Sequence, residues 1–427
     1  MHIAFVHNSF PGHFGALAAK LIKLSGDQCS FLAHNVQQER IMGIDVYPSG
    51  TDVIDDVRAG RDLDPVGSLS EVRRRTRMSL QSVKTLQEVS EASPVDVFVV
   101  HADWGSSSAL KRHFPDVPVV TYLEQYVAPG NLVFDFRVGD PDAGGIDSRL
   151  LTDVQNMCRL YDSLEVEGTW APTRWTKACL PLPVSQDEHV FVQHEGIDTA
   201  FWQPASDALV EAAGLPESVT KAKKLVTYVN RDFEFAKGFD VFMRAAKEVY
   251  TKDPDVHFAC VGRPGAAYNM KIDDEVSRMS FKDWVLEQDT YDLGRFTFID
   301  TVEPVALTAL FRFSKCHVYL SAPMVLGWSV LNAMSCGVPV VASRTGAVPE
   351  VIKHGENGYT PPFNDWRLIA DCVQDVLGLS SSKWRSLSQA AHDTIALEYD
   401  FKVTAPRMHS YLKSIVDGHG RSPRSTT

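Results

Sequence analysis

The chain has 427 residues, more than one ordinary hydrophobic core contains, so two or three domains are expected. Its hydrophobic content of 44% and charged content of 22% are those of a globular protein in water. The net charge is −12, and residues 1–200 contain 17 Lys and Arg against 27 Asp and Glu, which argues against a nucleic-acid binder.

The cysteine pattern and the apolar runs indicate where the protein works. Seven cysteines without a CxxC pair predict reduced, buried thiols, and no run of residues is long enough to span a membrane. The first residues do not form a signal peptide. We therefore expect a cytoplasmic protein, with a peripheral position at the inner face of the membrane as the alternative. The basic cluster Arg73, Arg74, Arg75 and Arg77 favours a solvated helix face, and contact with an anionic acceptor or a lipid head group is its alternative.

Strand and helix signals alternate along the whole chain. In the first half, FGALAAKLIKLSG predicts a helix that ends at Gly26, and buried strands are predicted for HIAFVH, CSFLAHN, VDVFVVHA, PVVTYLE, SLEVEGTWAP and VFVQHEGID. The rhythm restarts after about residue 200, with a helix from Phe239 to Val249 and the strands KLVTYVN, HFACVG, RFTFID, HVYLSAP and VPVVAS. Two such series predict an α/β protein with two doubly wound, parallel-sheet (Rossmann-like) domains that face a central cleft.

The domain boundaries follow from the same pattern. Residues 1–200 form the predicted N-terminal domain and residues 201–390 the predicted C-terminal domain, with a linker rich in small and charged residues after residue 198. Residues 391–416 have helical spacing and are expected to pack back on the N-terminal domain. Residues 417–427 are a polar tail that we expect to be disordered.

The segment from Tyr319 to Glu350 has the pattern of a phosphate-binding βαβ unit. A buried strand ends in a loop with Pro323 and Gly327, a helix follows, and Gly337 ends that helix before the next strand. Backbone N–H groups at a helix start, together with the helix dipole, favour an anion such as a diphosphate.

Two cations follow the strand KLVTYVN. Arg231 comes directly after it, and Lys237 precedes Gly238 in the next loop. Arg clamps phosphate oxygens in a bidentate manner and Lys supplies a mobile charge, so this pair favours a diphosphate site over a solubilising surface.

The N-terminal domain offers polar residues at its strand ends. His101 and Asp103 end or follow VDVFVVHA, while Pro11, Gly12 and His13 follow the first strand and favour an acceptor contact. A structural role for these histidines stays open. His194 and Glu195 follow another strand, and Gly196 is interpreted as a turn residue.

These motifs together resemble glycosyltransferase family 4, which has the GT-B fold. The resemblance rests on Arg231 with Lys237-Gly238, the HEGID turn, SAPMVLGWSVLNAMSCGVPVVAS and GAVPEVIKHGENGY, and it is strongest in residues 190–362. HNSFPGHF, HADWGSSSALKRHFPD and APTRW are similar to a bacterial branch. The resemblance implies transfer of a sugar from a nucleoside diphosphate, with retention of the anomeric configuration and without a bound metal or other cofactor.

The family's site residues carry over by position. Arg231 and Lys237 would bind the diphosphate, His101 would contact the donor sugar, and these three are the candidate catalytic residues. The acceptor loop falls on Pro11, Gly12 and His13, with Asp103 beside it. The candidate donor-binding residues are Arg263, Pro264, Thr301, Met324, Val325, Leu326, Gly327, Trp328, Ser329 and Asn332.

The chain departs from the family at its signature of two glutamates separated by seven residues. Met324 and Asn332 occupy those positions. Backbone N–H groups of Val325 to Gly327 could replace the first glutamate, and the Asn332 amide could still bind ribose hydroxyls, although a neutral amide binds more weakly than a carboxylate.

The expected function is therefore a retaining, metal-independent hexosyltransferase of the UDP-sugar or GDP-sugar type. Its partners would be the nucleotide-sugar donor and a glycan, lipid-linked or small-molecule acceptor, with peripheral membrane contact as an option and without nucleic acid. A catalytically silent GT-B subunit and a nucleotide-sugar epimerase are the alternatives. The pair Asp140 and Asp142 resembles a metal-binding DxD motif, but its Pro/Gly-rich surroundings favour a turn.

Overall fold

A computed structural model describes residues 1–34, 36–49, 68–128, 136–137, 146–181, 184–187, 189–204, 214–264 and 279–419. The described residues form two compact units. The first contains those within 1–128, 144–196 and 401–427, and the second contains Phe136, Arg137 and those within 197–400.

The first unit is built on an eight-stranded sheet. The strand order is β3-β4-β2-β1-β5-β6-β7-β8, and every pairing is parallel except that of β3 with β4. The strands are β1 (His2–Val6), β2 (Gln28–Ala33), β3 (Glu39–Ile41), β4 (Ile44–Pro48), β5 (Val97–His101), β6 (Val119–Tyr122), β7 (Gly168–Ala171) and β8 (Val190–Val192). Its helices are α1 (Gly15–Ser25), α2 (Ser68–Ala92), α3 (Ser107–His113), α4 (Ile146–Leu164), α5 (Arg174–Cys179) and, at the far end of the chain, α14 (Phe401–His419).

Helices cover both faces of this sheet, which explains why its central strands are continuous apolar runs. Alternate residues of β1 point to opposite faces. Ile3 and Phe5 pack with α1 and α14, whereas Ala4 and Val6 pack with residues of α2 and α3. The predicted end of α1 is confirmed, because Gly26 adopts a left-handed φ of 67° and its N–H bonds the carbonyl oxygens of the last turn.

The second unit has a five-stranded parallel sheet in the order β11-β10-β9-β12-β13. Its strands are β9 (Lys224–Asp232), β10 (Val256–Arg263), β11 (Phe296–Ile299), β12 (Ser314–Tyr319) and β13 (Val340–Ala342). Its helices are α6 (Glu217–Thr220), α7 (Phe239–Lys252), α8 (Phe281–Glu287), α9 (Pro304–Phe313), α10 (Trp328–Ser335), α11 (Val348–Val351), α12 (Trp366–Gly378) and α13 (Ser381–Glu398).

The α/β class and the parallel sheets are confirmed, and two details differ from the expectation. SLEVEGTWAP was expected to be one strand, but Ser163 and Leu164 belong to α4 and only its second half forms β7. The predicted closing helices divide: α13 groups with the second unit, and α14 groups with the first. None of the described helices is both long and apolar enough to cross a membrane.

Candidate functional site

Each sheet has a topological switch point, at which the chain connections from two adjacent strands run to opposite sides of the sheet. In the second sheet this place is β9, which lies between β10 and β12. In open α/β sheets such a reversal leaves a crevice at the carboxyl ends of the strands, where ligands bind. The loops that follow β9 and β12 are those in which the sequence predicts the diphosphate site.

The structure brings Lys237 against the loop that follows β12. The Lys237 ammonium lies 3.3 Å from Ser321 Oγ and 2.7 Å from Met324 Sδ. The Ala322 N–H donates to the Ala236 carbonyl oxygen over 2.7 Å, which ties the two loops together. A positive charge is therefore held beside the candidate phosphate loop, and its neighbour at position 324 is a thioether rather than a carboxylate.

Arg231 and Arg263 meet at a shared carboxylate. Buried Asp232 accepts two hydrogen bonds from Arg263, of 2.7 and 3.2 Å, and its other ion-pair partner is Arg231 at 3.6 Å. Both arginine side chains are more than half exposed. Two guanidinium groups therefore share one carboxylate at this strand end, and a guanidinium is the group that binds phosphate oxygens in a bidentate manner.

The helix after the loop begins at Trp328, as the sequence predicts. Its N-cap is Gly327, which has no side chain to cap the first turn. The Gly327 N–H donates to the Tyr319 hydroxyl over 3.0 Å, so it is engaged within the protein, which differs from the expectation that it would serve the donor. A Cβ at position 327 would lie 2.7 Å from that hydroxyl, which explains why glycine stands there.

The other candidate donor residues differ in accessibility. Asn332 is buried, and its Oδ1 has no hydrogen-bond partner among the described residues. Leu326 is buried, whereas Pro264, Thr301 and Trp328 are exposed, and Val325 and Ser329 are half-buried. A buried acceptor without a donor is costly, so the Asn332 amide has the capacity to accept a hydrogen bond from a ligand hydroxyl. Asp140 and Asp142 lie outside the described residues.

In the first sheet the reversal lies between β1 and β5, and three histidines meet there. His7 follows β1, His13 lies in the loop before α1, and His101 ends β5. The distances between ring centroids are 5.2 Å for His7 and His13, 5.0 Å for His7 and His101, and 5.2 Å for His13 and His101. These three residues are called the three-histidine cluster below.

Hydrogen bonds connect the cluster to Glu124, which follows β6. His7 Nε2 lies 2.9 Å from His13 Nδ1, and His13 Nε2 lies 3.4 Å from Glu124 Oε1. His101 Nε2 lies 3.2 Å from Glu124 Oε2, while its Nδ1 accepts a bond of 3.2 Å from the Asp103 N–H. Glu124 thus joins two of the three rings.

The electrostatic surroundings give the three imidazoles different pKa values. Burial and the neighbouring imidazoles lower the pKa of His7 to about 2. Burial disfavours the charged form of His13 as well, but the Glu124 carboxylate outweighs it and raises the pKa of His13 to about 9. Burial lowers the pKa of His101. At neutral pH the cluster therefore holds one imidazolium, at His13, paired with the Glu124 carboxylate.

The predicted acceptor loop closes tightly over His7. The peptide bond between Phe10 and Pro11 is cis, and Gly12 adopts a φ of 48°. A Cβ at position 12 would lie 2.5 Å from His7 Nδ1 and 2.6 Å from the Ser9 carbonyl oxygen. Glycine is therefore required by the His7 ring itself, and the acceptor role of Pro11, Gly12 and His13 stays a prediction.

Asp103 is engaged by two guanidinium groups. Arg159 Nε lies 2.8 Å and Arg75 3.3 Å from Asp103 Oδ1, and the arginines lower the pKa of its carboxyl group although burial opposes them. Arg75 is itself buried and also bonds Glu71. The solvated-face interpretation of the basic cluster is therefore wrong for Arg75, which anchors α2 to the end of β5. An acceptor contact of Asp103 stays a prediction.

Two residues of these sites were missed by sequence reasoning, Glu124 and Ser321. Glu124 is the last letter of the predicted strand PVVTYLE, and the position directly after a parallel strand next to β5 was the signal that could have found it. Ser321 lies in the predicted phosphate loop. Gly196 has a φ of 117°, but it lies in an irregular segment and not in a turn, so the expected turn is not found there.

Comparisons with known proteins identify the family. Residues 26–202 match the family model described as the glycosyl transferase family 4 group, and residues 216–393 match the model of glycosyl transferases group 1. The chain is a family 4 glycosyltransferase. The second match includes the Lys237 loop and α10, where the sequence resemblance is strongest.

Curated relatives of this glycosyltransferase are similar over part of their length. D-inositol 3-phosphate glycosyltransferase of Corynebacterium aurimucosum is 26% identical over 310 residues, which are 70% of this chain and 68% of the relative. N-acetyl-alpha-D-glucosaminyl L-malate synthase of Bacillus anthracis is 38% identical over 101 residues, which are 24% of this chain and 26% of the relative.

Solved structures show the same GT-B fold at low sequence identity. The sucrose-phosphate synthase of Thermosynechococcus elongatus has a TM-score of 0.73 at 15% identity, over 98% of this chain and 100% of the other. HepE of Anabaena, in complex with UDP-glucose, has a TM-score of 0.64 at 15% identity, over 98% of this chain and 99% of the other.

Proposed function

We propose that this glycosyltransferase moves a sugar from a nucleoside diphosphate to a hydroxyl group, with retention of configuration and without a metal ion on the diphosphate. One observation carries the proposal. The ammonium group of Lys237 lies beside the loop that leads into α10, whose N-cap residue is a glycine. A cation beside the N–H groups of a helix start is the arrangement that binds phosphate oxygens.

The catalytic contribution of these groups is electrostatic. Negative charge grows on the diphosphate as the bond to the sugar breaks, and donors that are already oriented stabilise this charge without reorganising. Lys237 and the first-turn amides of α10 would bind one side of the diphosphate, and Arg231 would supply a second charge. Arg263 is held by Asp232 and would stay at the exposed end of β10, towards the nucleobase.

Asn332 and Met324 would define the donor contacts that differ from the family pattern. The buried Asn332 amide would bind a ribose hydroxyl, because its Oδ1 has no partner among the described residues. Met324 offers only a weak sulfur acceptor, so the sugar hydroxyls would be bound by backbone groups of the loop instead.

The acceptor would be a small molecule that carries a hydroxyl nucleophile. The curated relatives are named for transfer to D-inositol 3-phosphate and L-malate, and HepE contains UDP-glucose in its structure, which favours a UDP-sugar donor here. His101 would contact the donor sugar. A retaining route through an oxocarbenium-like state needs no nucleophile from the protein, so no side chain is assigned that role.

A donor panel tests this proposal. The full chain is incubated with UDP-sugars and GDP-sugars and a set of polyol and hydroxy-acid acceptors, and the released nucleotide is measured. We expect release that requires an acceptor and that decreases strongly in Lys237→Ala. If no nucleotide binds in calorimetry and no donor is turned over, the proposal fails and the chain is a catalytically silent subunit.

A further inference from the structure

We propose that the three-histidine cluster, His7, His13 and His101, binds one zinc ion. One ring nitrogen of each residue lies within 4.8 Å of a ring nitrogen of each of the others. Two nitrogens that bind one zinc ion at about 2.1 Å are about 3.4 Å apart in tetrahedral geometry. The three rings therefore need to move by only a fraction of their present separation to share an ion.

The scaffold fixes the backbone of these ligands. His7 and His101 end neighbouring strands, since β1 pairs with β5 from Ile3–Val97 to Val6–Val100. His13 is held next to them by the tight loop at Gly12. Ligands on rigid strand ends lose little freedom when they bind a metal.

Glu124 is the outer partner of two of the three ligands. Its two carboxylate oxygens already lie 3.4 Å from His13 Nε2 and 3.2 Å from His101 Nε2. Since Glu124 contacts the Nε2 atoms, it would orient the rings of His13 and His101, which would bind zinc through Nδ1, and three imidazole nitrogens leave the fourth zinc position to water. The carboxylate also supplies a negative charge that partly neutralises the ion in a largely buried place.

An outer contact supports His7 as a ligand, and two bonds have to open. His7 Nδ1 lies 3.0 Å from both the carbonyl oxygen and the backbone nitrogen of Ser9. In the tautomer that donates to the carbonyl, Nε2 has a lone pair for a metal, and this outer contact orients the ring. The ion would displace one proton from the His13 imidazolium and replace the bond between His7 and His13, and His101 would give up the bond from the Asp103 N–H. These losses predict a weaker site than a closed structural zinc site.

The identity of the ligands selects the class of metal. Imidazole nitrogens suit zinc and its first-row neighbours, whereas magnesium and calcium prefer oxygen. Zinc in this place would remove His101 from the donor sugar, so it would inhibit transfer. This second consequence rests on the proposed function, whereas zinc binding itself does not.

The binding test uses the full chain without substrates. After equilibrium dialysis against buffered zinc, bound metal is counted by mass spectrometry, and cobalt is used as a second probe because tetrahedral cobalt absorbs visible light. We expect one zinc ion per chain and at least tenfold weaker binding in His13→Gln. Gln keeps the size and polarity of the half-exposed His13 position but lacks an imidazole. Millimolar magnesium should not displace the zinc.

His409→Gln is the matched control, because His409 belongs to the same unit and also faces a carboxylate, with Nδ1 2.7 Å from Asp27. Its zinc binding should equal that of the wild type. His7→Gln provides a second variant of the cluster, and circular dichroism shows that each variant is folded. No bound zinc in the wild type, or equal binding in folded His13→Gln and His7→Gln, would overturn the proposal.

Inhibition of the transfer activity by zinc provides an independent test. Zinc should inhibit nucleotide release by the wild type and by His409→Gln, and should inhibit any residual activity of His13→Gln much less. If the wild type binds zinc at the cluster and transfers sugar at an unchanged rate, the inhibitory role is wrong. If no donor is turned over even without zinc, the proposed function fails while the dialysis result still decides the metal site.

Discussion

Lys237 and Arg231 are both cations at the end of β9, but their surroundings differ. The Lys237 ammonium is half-buried and held by Ser321, whereas the Arg231 side chain is 60% exposed. A charge that is partly removed from water interacts more strongly with a phosphate than an exposed one does. The two residues should therefore contribute unequally to transfer.

We expect Lys237→Ala to lower kcat/KM by about 100-fold and Arg231→Ala by about 10-fold, from the loss of one charge-assisted contact each. Steady-state kinetics with the best donor measure both values. Lys247→Ala is the control, because Lys247 is an exposed cation of the same unit that pairs with Asp289. Wild-type kinetics in Lys237→Ala would show that this residue does not bind the diphosphate.

Substitutions of Asn332 test whether the ribose contact is weaker than that of a glutamate or whether its surroundings are built for an amide. A carboxylate accepts from ribose hydroxyls more strongly than an amide, so Asn332→Glu should tighten UDP binding by about tenfold. Calorimetry with UDP measures the change. Asn332→Gln has the added length without the charge and should not tighten binding. Weaker binding in Asn332→Glu alone would mean that the surroundings are built for the amide and leave the new charge without a partner.

At the scale of elements, the phosphate loop is shaped by a close contact of two backbone segments. Gly346 precedes α11 with a φ of 52°, and a Cβ there would lie 2.3 Å from the Met324 carbonyl oxygen. Gly355 also has a positive φ, of 80°, but nothing lies within 4 Å of its Cβ position. Alanine substitutions at the two glycines therefore distinguish the cost of the left-handed backbone conformation from the cost of the steric clash.

Gly346→Ala should destabilise the second unit by about 3 kcal/mol or more, because both the left-handed conformation and the clash with Met324 cost free energy. Gly355→Ala should cost only about 1 kcal/mol, from the conformation alone. Urea unfolding followed by tryptophan fluorescence gives both values. Equal losses in the free energy of unfolding would show that the Met324 segment moves aside at little cost. In that case UDP binding should also be unchanged in Gly346→Ala.

The helices and strands can be predicted well from the sequence, because parallel strands are short apolar runs. The residues that follow these strands can be predicted to lie near one another, because the carboxyl ends of parallel strands meet at one edge of the sheet. This logic leads to Lys237, to the start of α10 and to His101. It cannot predict that His7 contacts His101, since β1 and β5 are far apart in the chain and only the sheet order makes them neighbours. It also begins the strand β7 too early, because Leu164 and Val166 have the alternation of a strand although Leu164 ends α4.

At the scale of the whole molecule, metal dependence follows from the kinds of ligand present. Among the described residues, the His/Cys/Asp/Glu group with the spacing of a metal site is the three-histidine cluster, and imidazoles do not select magnesium. We therefore expect EDTA to leave the transfer rate unchanged or to raise it. Loss of activity in EDTA that magnesium or manganese restores would instead favour a metal site at Asp140 and Asp142.

Helix α14, which contains the last described residues, belongs to the same unit as the first strand. Helix α14 places Phe401, Ala405, Met408 and Leu412 in the same hydrophobic cluster as Ile3 and Phe5 of β1. Met408 is fully buried, whereas Met157 on α4 of the same unit is 62% exposed. Removing a buried methionine side chain leaves a cavity, and removing an exposed one does not.

Met408→Ala should therefore destabilise the first unit by about 2–5 kcal/mol, while Met157→Ala should change its stability by less than about 0.5 kcal/mol. Hydrogen exchange locates the effect, because amides of β1, β5 and β7 should lose protection in Met408→Ala and those of β9 and β12 should keep it. Since α14 contains the last described residues, this pattern would show that the fold of the N-terminal unit depends on the last helix. Faster exchange in β9 and β12 instead would assign α14 to the stability of the second unit.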